Sequence, residues 1–371
     1  MSLKNLYIHV GVHKTGSTSF QVFCGNNRSQ LIKQGIIYPD CKTFHKKELF
    51  GHHYLSLITT EEEFIESLKN INQELIKYNV NNCLISSEEF MKWDETIIQM
   101  FIKSASIFFD QIHLVMCVRE QSKVLEGIYG THVFHYDYEG SIQDFIISEK
   151  IRFDYFKYVM EWEKFAKIKK HILLYNEIKD DLVSKIFNKI DVFVKKTQHI
   201  NKIFNASRDY RIVETIRFLN KSKFDKSFVI TIKEILKKIE IKNPRPNQFL
   251  SNKERNEFNN IFRENNKKIL QNDDVKINNF YETDESFEIQ IEDDNLKNLD
   301  GVKKLIELIL LKYNGKDNLL NISYSLRDLA LEYENSSIDL SLKLMSIAQR
   351  LNNKGIFIKS KIEEYKNLIK E

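Results

Sequence analysis

Cysteine is scarce in this chain, and its few copies are not spaced for a disulfide framework or a metal site. The 371 residues contain four scattered cysteines without a CxxC pair, namely Cys24, Cys41, Cys83 and Cys117. Cys83 and Cys117 lie in or beside segments typical of buried strands. Since a free cysteine packs as a small apolar side chain, we expect structural roles rather than cross-links or metal ligation.

Long apolar runs are lacking as well. No segment approaches the roughly 20 apolar residues that a membrane-spanning helix needs, and the first strand begins at Leu6 without a preceding apolar signal region. Charge of one sign is also lacking, because 56 basic and 52 acidic residues are interspersed and leave a net charge of +4. These absences predict a cytoplasmic protein with no membrane span and no nucleic-acid partner.

Apolar strands alternate with amphipathic helices through most of the chain. Strand-like segments begin at Leu6, Cys83, His113 and His171, and the helical segment from Glu61 to Tyr78 has one apolar face. This order indicates an α/β fold with a parallel sheet. With 371 residues, 42% of them hydrophobic, the chain is long enough for one large domain and a smaller one.

The stretch YIHVGVHKTGSTSFQ, from Tyr7 to Gln21, has the layout of a phosphate-binding loop. An apolar strand leads into a turn that contains Gly11 and Gly16, and a helix then opens with hydroxyl residues. In such a turn the backbone N–H groups and the positive end of the helix point at one anion. The spacing of the two glycines is that of a Walker A loop, GxxxxGK[ST].

The lysine of this loop is displaced from the Walker position. Ser17 stands where a Walker A loop has its lysine, and Lys14 lies inside the turn. A nucleoside triphosphatase needs that lysine on the β- and γ-phosphates and a hydroxyl on Mg²⁺, so the displacement argues against triphosphate hydrolysis. A lysine inside the turn can instead contact a single 5′-phosphate and the group attached to it.

The residues GVHKTGSTS resemble the 5′-phosphosulfate loop of sulfotransferases that use 3′-phosphoadenosine-5′-phosphosulfate (PAPS), whose signature is a KTG[ST]T run between a strand and a helix. The resemblance covers roughly residues 4 to 275. It implies a P-loop-like three-layer sandwich with a central parallel sheet flanked by helices, and PAPS as co-substrate without a metal. It also implies that Lys14 follows the bridging oxygen during transfer. The 5′-phosphate would be bound by Thr15, Gly16, Ser17, Thr18 and Ser19.

Arg119 ends a predicted strand and precedes a helix, as does the arginine that these sulfotransferases use for the 3′-phosphate of PAPS. A guanidinium suits a terminal phosphate because its fork bonds two oxygens at once. The family usually adds a serine two turns into that helix, and this chain has Gly127 at the aligned position. Ser122 or a backbone N–H is then expected to substitute for that serine.

Glu88, His52 and His53 are the candidates for the base that takes the acceptor's proton. Glu88 follows an apolar strand whose carboxyl end turns polar, which is where open α/β sheets bind ligands. A buried carboxylate there could have a raised pKa. The histidines have an ordinary pKa near operating pH. Because adjacent residues diverge, only one of the two histidines is expected to face the cleft, and we favour His53.

The chain beyond residue 275 differs in composition. Residues 276–296 include the acidic run YETDESFEIQIEDDN, which is typical of a solvated connector. Residues 297–371 have apolar residues at helical spacing and are similar to a single degenerate tetratricopeptide unit. One such unit cannot bury its apolar face alone, so we expect it to pack on the main domain, residues 1–275, or on a second chain through self-association or partner docking.

The sequence leaves three functions open. The first is a PAPS-dependent sulfotransferase that acts on a hydroxyl, with a carbohydrate acceptor suggested by family analogy. The second is a P-loop kinase or nucleotide-binding protein, which would need a strand-end aspartate as metal ligand; none follows the strands that end near Ser87 and at Arg119. The third is a non-catalytic interaction protein built on a sulfotransferase core, an alternative that Gly127 keeps open.

Overall fold

The structure is a computed structural model. It describes residues 3–40, 50–148, 153–192, 209–221, 229–230, 233, 248–271, 274–281, 323–324, 326–328, 330–331, 334 and 338–369. Most of the predicted connector and the first part of the predicted C-terminal unit lie outside these residues. The chain comprises two compact units. The first unit contains residues 1–128, 146–206 and 252–287, and the second contains 129–145, 207–251 and 288–371.

The first unit is built on a parallel sheet of five strands, which confirms the predicted α/β class. The strands are β1 (Asn5–Gly11), β2 (Ile36–Ile37), β3 (Asn82–Ser87), β4 (Gln111–Val118) and β5 (Lys169–Leu174). Their order across the sheet is β2-β3-β1-β4-β5, and every neighbouring pair is parallel. In β1, β3 and β4 every residue after the first is buried, as expected for strands with helices on both faces.

The position of β1 between β3 and β4 determines where a ligand can bind. After β1 the chain builds β2 and β3 on one side, and it then crosses to the other side to form β4. Such a reversal leaves a crevice at the carboxyl ends of the strands. The register aligns Val10 with Ser87 and Gly11 with Cys117. The segments that follow β1, β3 and β4 therefore begin side by side.

Helices connect and follow these strands in the residues that the structure describes. Their bounds are α1 (Ser17–Asn26), α2 (Arg28–Lys33), α3 (Glu61–Tyr78), α4 (Glu95–Ala105), α5 (Gln121–His135), α6 (Ile142–Ser148), α7 (Tyr155–Glu163), α8 (Tyr175–Ile178), α9 (Leu182–Lys189), α10 (Tyr210–Lys221), α11 (Asn252–Asn260), α12 (Arg263–Ile269), α13 (Asp274–Phe280), α14 (Ile338–Leu351) and α15 (Ile356–Leu368). Short 3₁₀ helices span His53–Leu57, Glu88–Lys92 and Lys179–Asp181.

Helix α3 shows how local sequence fixes these elements. The hydroxyl of Thr60 accepts a hydrogen bond from the Glu63 amide and so caps the first turn. The helix ends at Asn79, whose φ of 51° is left-handed, a conformation that asparagine tolerates better than most residues. Phe64 and Leu68 lie one turn apart on its buried face. The predicted helix from Glu61 to Tyr78 is confirmed with these bounds.

The core of the first unit gathers around both faces of the sheet. One buried cluster contains Tyr7, Phe20, Leu84 and Val115 together with apolar residues of α9. The described cysteines, Cys24, Cys83 and Cys117, are buried and unbridged. Burial raises the pKa of the Cys117 thiol to about 12. These cysteines therefore pack as small neutral side chains.

In the second unit, α14 and α15 contact each other through buried side chains that include Met345, Ala348 and Ile362. Lys361 joins the pair to the segment before α14 through an ion pair of 2.6 Å with Glu334. Whether these helices form a tetratricopeptide unit stays a prediction. Within the described part of the chain, no helix combines the length and the apolar character needed to cross a membrane.

Candidate functional site

The turn between β1 and α1 is a preformed cradle of backbone groups. Lys14 and Gly16 have left-handed φ values of 66° and 81°. The Thr15 hydroxyl donates to the Val12 carbonyl at 2.6 Å and holds the turn closed. A side chain at Gly16 would also meet Leu182, since a Cβ there would lie 2.7 Å from the Leu182 Cδ2 atom. Glycine is therefore required at position 16 by both conformation and space.

The first turn of α1 presents amides that have no acceptor within the helix. The first hydrogen bond of this helix runs from the Phe20 amide to the Gly16 carbonyl at 3.2 Å. The amides of Ser17, Thr18 and Ser19 precede that bond, so they are the free donors of a helix N-terminus. No side chain caps this end and its first turn contains no acidic residue. The positive end of the helix dipole is thus left for an anion.

Ser17 is the most informative side chain of the cradle. It is 8% exposed, and its Oγ finds no hydrogen-bond partner among the residues that the structure describes. Gly11 makes this burial possible, because a Cβ at Gly11 would lie 2.1 Å from the Ser17 Oγ. A buried hydroxyl without a partner is costly, and a ligand oxygen would satisfy it. Thr18 and Ser19, the next two hydroxyl residues, are partly exposed.

Lys14 leaves the turn with its aliphatic stem against α5. A Cβ built on Gly127 would lie 2.7 Å from the Lys14 Cγ and 3.2 Å from its Cδ. The absence of a side chain at Gly127 therefore makes room for the lysine. The aligned serine of the resembling family would not fit here without moving Lys14. Ser122, the expected substitute, is fully buried and donates its hydroxyl to Glu120 at 2.6 Å.

Glu88 lies beside the loop and is oriented by a residue from α1. Its Oε2 accepts a hydrogen bond of 2.9 Å from the side-chain Nε2 of Gln21. Gln21 is 1% exposed and also reaches the Ser86 hydroxyl at 3.3 Å, which in turn lies 2.8 Å from the Nδ1 atom of His9. Burial lowers the pKa of His9 to about 4. The carboxylate of Glu88 is thus held by a buried polar chain that links it to the interior of the sheet.

His53 faces Glu88 and completes the polar wall of the site. Its Nδ1 is 2.8 Å from the Ser87 hydroxyl, and its Nε2 is 3.9 Å from the Glu88 Oε2. Both side chains remain partly exposed, at 30% for His53 and 23% for Glu88. Gly51 allows this placement, because a Cβ there would lie 2.3 Å from the His53 Nε2. The imidazole and the carboxylate therefore lie next to each other at a place that solvent can reach.

His52 occupies a different environment from its neighbour. It is fully buried, its Nδ1 accepts a 3.1 Å hydrogen bond from the Ser86 amide, and its own amide donates to the Ser86 carbonyl at 2.7 Å. Burial lowers the pKa of His52 to about 3. This ring is therefore neutral at operating pH and is part of the frame that fixes the segment against β3. The structure brings His53, but not His52, to the accessible side of Glu88.

Arg119 contacts the loop itself. Its Nη1 donates to the Lys14 carbonyl at 2.8 Å, and its guanidinium lies 4.8 Å from the centre of the Tyr175 ring. The Arg119 carbonyl accepts a 2.7 Å hydrogen bond from the buried Tyr155 hydroxyl. Arg119 directly follows β4, which ends at Val118, one residue before the predicted strand end. The contact with Lys14 adds a link between β4 and the loop that the sequence did not suggest.

Sequence reasoning missed Gln21 and His13 as parts of this site. Gln21 lies one helical turn after Ser17, on the face of α1 that is buried. A polar residue on the apolar face of a helix is a signal that could have identified it. His13 lies within the loop, where burial lowers its pKa against the opposing effect of the carboxylates of Glu88 and Glu89. Its position directly before Lys14 in the loop is the signal that could have identified His13.

Comparison with known proteins adds no further assignment. No family model matches this chain, and neither a curated protein nor a solved structure was found to be similar to it. The chemistry of the site therefore rests on its own geometry. That geometry combines a cradle of amides, a lysine inside the turn, a buried hydroxyl, and a carboxylate paired with an imidazole.

Proposed function

We propose that this protein is a PAPS-dependent sulfotransferase that transfers a sulfuryl group to a hydroxyl of an acceptor. The observation that carries the proposal is the turn between β1 and α1, which has Walker-like glycine spacing but its lysine inside the turn. The partnerless hydroxyl of Ser17 supports an anion at this place. A P-loop-like sandwich with a small C-terminal helical unit is the architecture that we propose with this function, and residues 1–275 would form the catalytic domain.

The amides of Thr15 to Ser19 and the hydroxyls of Ser17 and Thr18 would bind the 5′-phosphate. PAPS supplies an activated sulfuryl group joined to that phosphate. Lys14 would stabilise the negative charge that grows on the leaving phosphate as the bond between sulfur and the bridging oxygen breaks and the acceptor oxygen bonds to sulfur. Its mobile ammonium has three donors, so it can follow the departing oxygen. The packing of its stem on Gly127 supports this role because it restricts where the ammonium can reach.

Either Glu88 or His53 would take the proton of the acceptor hydroxyl. Gln21 orients the carboxylate and Ser87 orients the imidazole, so neither group needs to reorganise when the acceptor binds. Of the three candidate bases, His52 is the least suitable, because its accessible surface is nil and its Nδ1 is occupied by a backbone amide. Glu88→Gln and His53→Gln would each slow transfer.

The acceptor is proposed to be a carbohydrate, and this part of the proposal rests on the family resemblance alone. Thermal-shift titration separates the candidate functions. A sulfotransferase is stabilised by adenosine 3′,5′-bisphosphate in the absence of Mg²⁺. A nucleotide kinase is stabilised by ATP with Mg²⁺ instead. Stabilisation by neither nucleotide would favour a non-catalytic interaction protein and contradict the proposal.

A further inference from the structure

Arg119 is committed to contacts within the protein on two sides. One nitrogen of its fork, Nη1, donates to the Lys14 carbonyl at 2.8 Å, and its Cζ atom lies over the Tyr175 ring, 4.8 Å from the ring centre. Its Nε is buried and finds no hydrogen-bond partner in the part of the chain that the structure describes. At least one donor and one face of the guanidinium are therefore engaged by the protein itself.

Arg119 contacts the loop at Lys14, whose backbone conformation is unfavourable for a residue other than glycine. Lys14 has a φ of 66°, a left-handed conformation that a lysine adopts only when its surroundings impose it. The Thr15 hydroxyl closes the turn from inside through the Val12 carbonyl. Arg119 holds it from outside, across 105 residues of sequence. These two contacts together fix the direction in which Lys14 leaves the backbone.

The support behind Arg119 is rigid. The Tyr155 ring is fully buried and its hydroxyl donates to the Arg119 carbonyl at 2.7 Å. Tyr175 opens the helix that follows β5, so the stacked ring comes from the neighbouring strand of the sheet. The guanidinium is thus anchored to both β4 and β5 before it meets the loop. Because Arg119 is held in this way, its contact with the Lys14 carbonyl fixes Lys14 relative to β4 and β5.

We infer that Arg119 is a positioning residue that holds Lys14 in its left-handed conformation. Its importance for sulfuryl transfer rests on the proposed function. Its effect on the loop does not, because the contact with Lys14 lies within the chain itself. The inference makes a prediction that a role confined to the 3′-phosphate does not make: loss of Arg119 weakens the binding of every nucleotide that uses the loop, whether or not a 3′-phosphate is present.

The binding experiment compares adenosine 3′,5′-bisphosphate with adenosine 5′-phosphate by calorimetry. In Arg119→Ala, affinity for both nucleotides is expected to fall about tenfold, so that their ratio stays at the wild-type value. Arg119→Lys retains one donor for the Lys14 carbonyl and restores part of the loss for both. If Arg119→Ala weakens the bisphosphate alone and brings the two affinities together, Arg119 reads the 3′-phosphate and the inference is wrong.

Arg263→Ala is the matched control, because Arg263 also stacks on a tyrosine, 5.2 Å from the centre of the Tyr281 ring, but does not contact the loop. A second readout needs no nucleotide. Amide hydrogen exchange across residues 11–19 is expected to accelerate in Arg119→Ala and to stay at the wild-type rate in Arg263→Ala. Unchanged exchange in Arg119→Ala would overturn the inference. If the wild type binds neither nucleotide, the proposed function fails while the exchange data still decide the role of Arg119.

Discussion

Restoring the serine of the resembling family at Gly127 is expected to impair this protein. A Cβ at this position would lie 2.7 Å from the Lys14 Cγ, whereas ordinary contacts begin at 3.4 Å, so the lysine stem must move by about 0.7 Å. A misplacement of about 1 Å at a reacting group can cost on the order of a hundredfold in rate. Gly127→Ala and Gly127→Ser are therefore expected to slow sulfuryl transfer by about tenfold to a hundredfold.

The assay follows release of adenosine 3′,5′-bisphosphate from PAPS in the presence of a panel of carbohydrate acceptors. A double-mutant cycle tests the cause of the loss. In Lys14→Ala most of the stem that meets position 127 is gone, so adding Gly127→Ala is expected to cost almost nothing more. Thermal unfolding of Gly127→Ala controls for general destabilisation. Full activity of Gly127→Ala, or an equal loss from it in the Lys14→Ala background, would refute the steric explanation.

Three further predictions concern the frame of the site. Gly11→Ala puts a methyl group 2.1 Å from the Ser17 Oγ, so nucleotide binding measured by calorimetry should be lost, and retained affinity would show that the cradle is not the binding site. Gln21→Leu removes the donor that orients Glu88, and turnover should fall about tenfold with bisphosphate affinity unchanged; an equal fall in affinity would argue against an orienting role. Burial lowers the pKa of His9 from 6.5 to about 4, so the folded state binds fewer protons than the unfolded one. The contribution of His9 alone to the free energy of unfolding should therefore drop by about 3 kcal/mol as the pH falls from 6.5 to 4, and urea titrations of His9→Gln should show a shallower dependence on pH.

The central strand, loop and helix could be predicted from the sequence because their signals are local. Apolar residues, two glycines and a run of hydroxyl residues follow one another within Tyr7 to Gln21. The strand order could not be predicted, since nothing in the sequence says that β1 lies between β3 and β4. The extent of the first helix could not be predicted either, because Asn27 ends α1 with its side chain donating to the Phe23 carbonyl at 2.8 Å.

The same limit applies to the site. Divergence of His52 and His53 was expected from their adjacency, but which of them faces the cleft depends on Ser86 and Ser87, which lie 34 residues away in sequence. Arg119 was expected to end a strand, and it directly follows β4. Its partner could not be foreseen, because the Lys14 carbonyl becomes an acceptor only when β1 and β4 pair. Local pattern thus identified the residue types, and tertiary pairing decided their contacts.

Calorimetric titration of the wild type and Lys14→Ala with adenosine 3′,5′-bisphosphate, without Mg²⁺, tests the central claim most directly. The account predicts saturable binding to the wild type with one site per chain, and a loss of about tenfold or more in affinity when the ammonium inside the turn is removed. Equal affinity of the two proteins, or binding only of ATP with Mg²⁺, would contradict it.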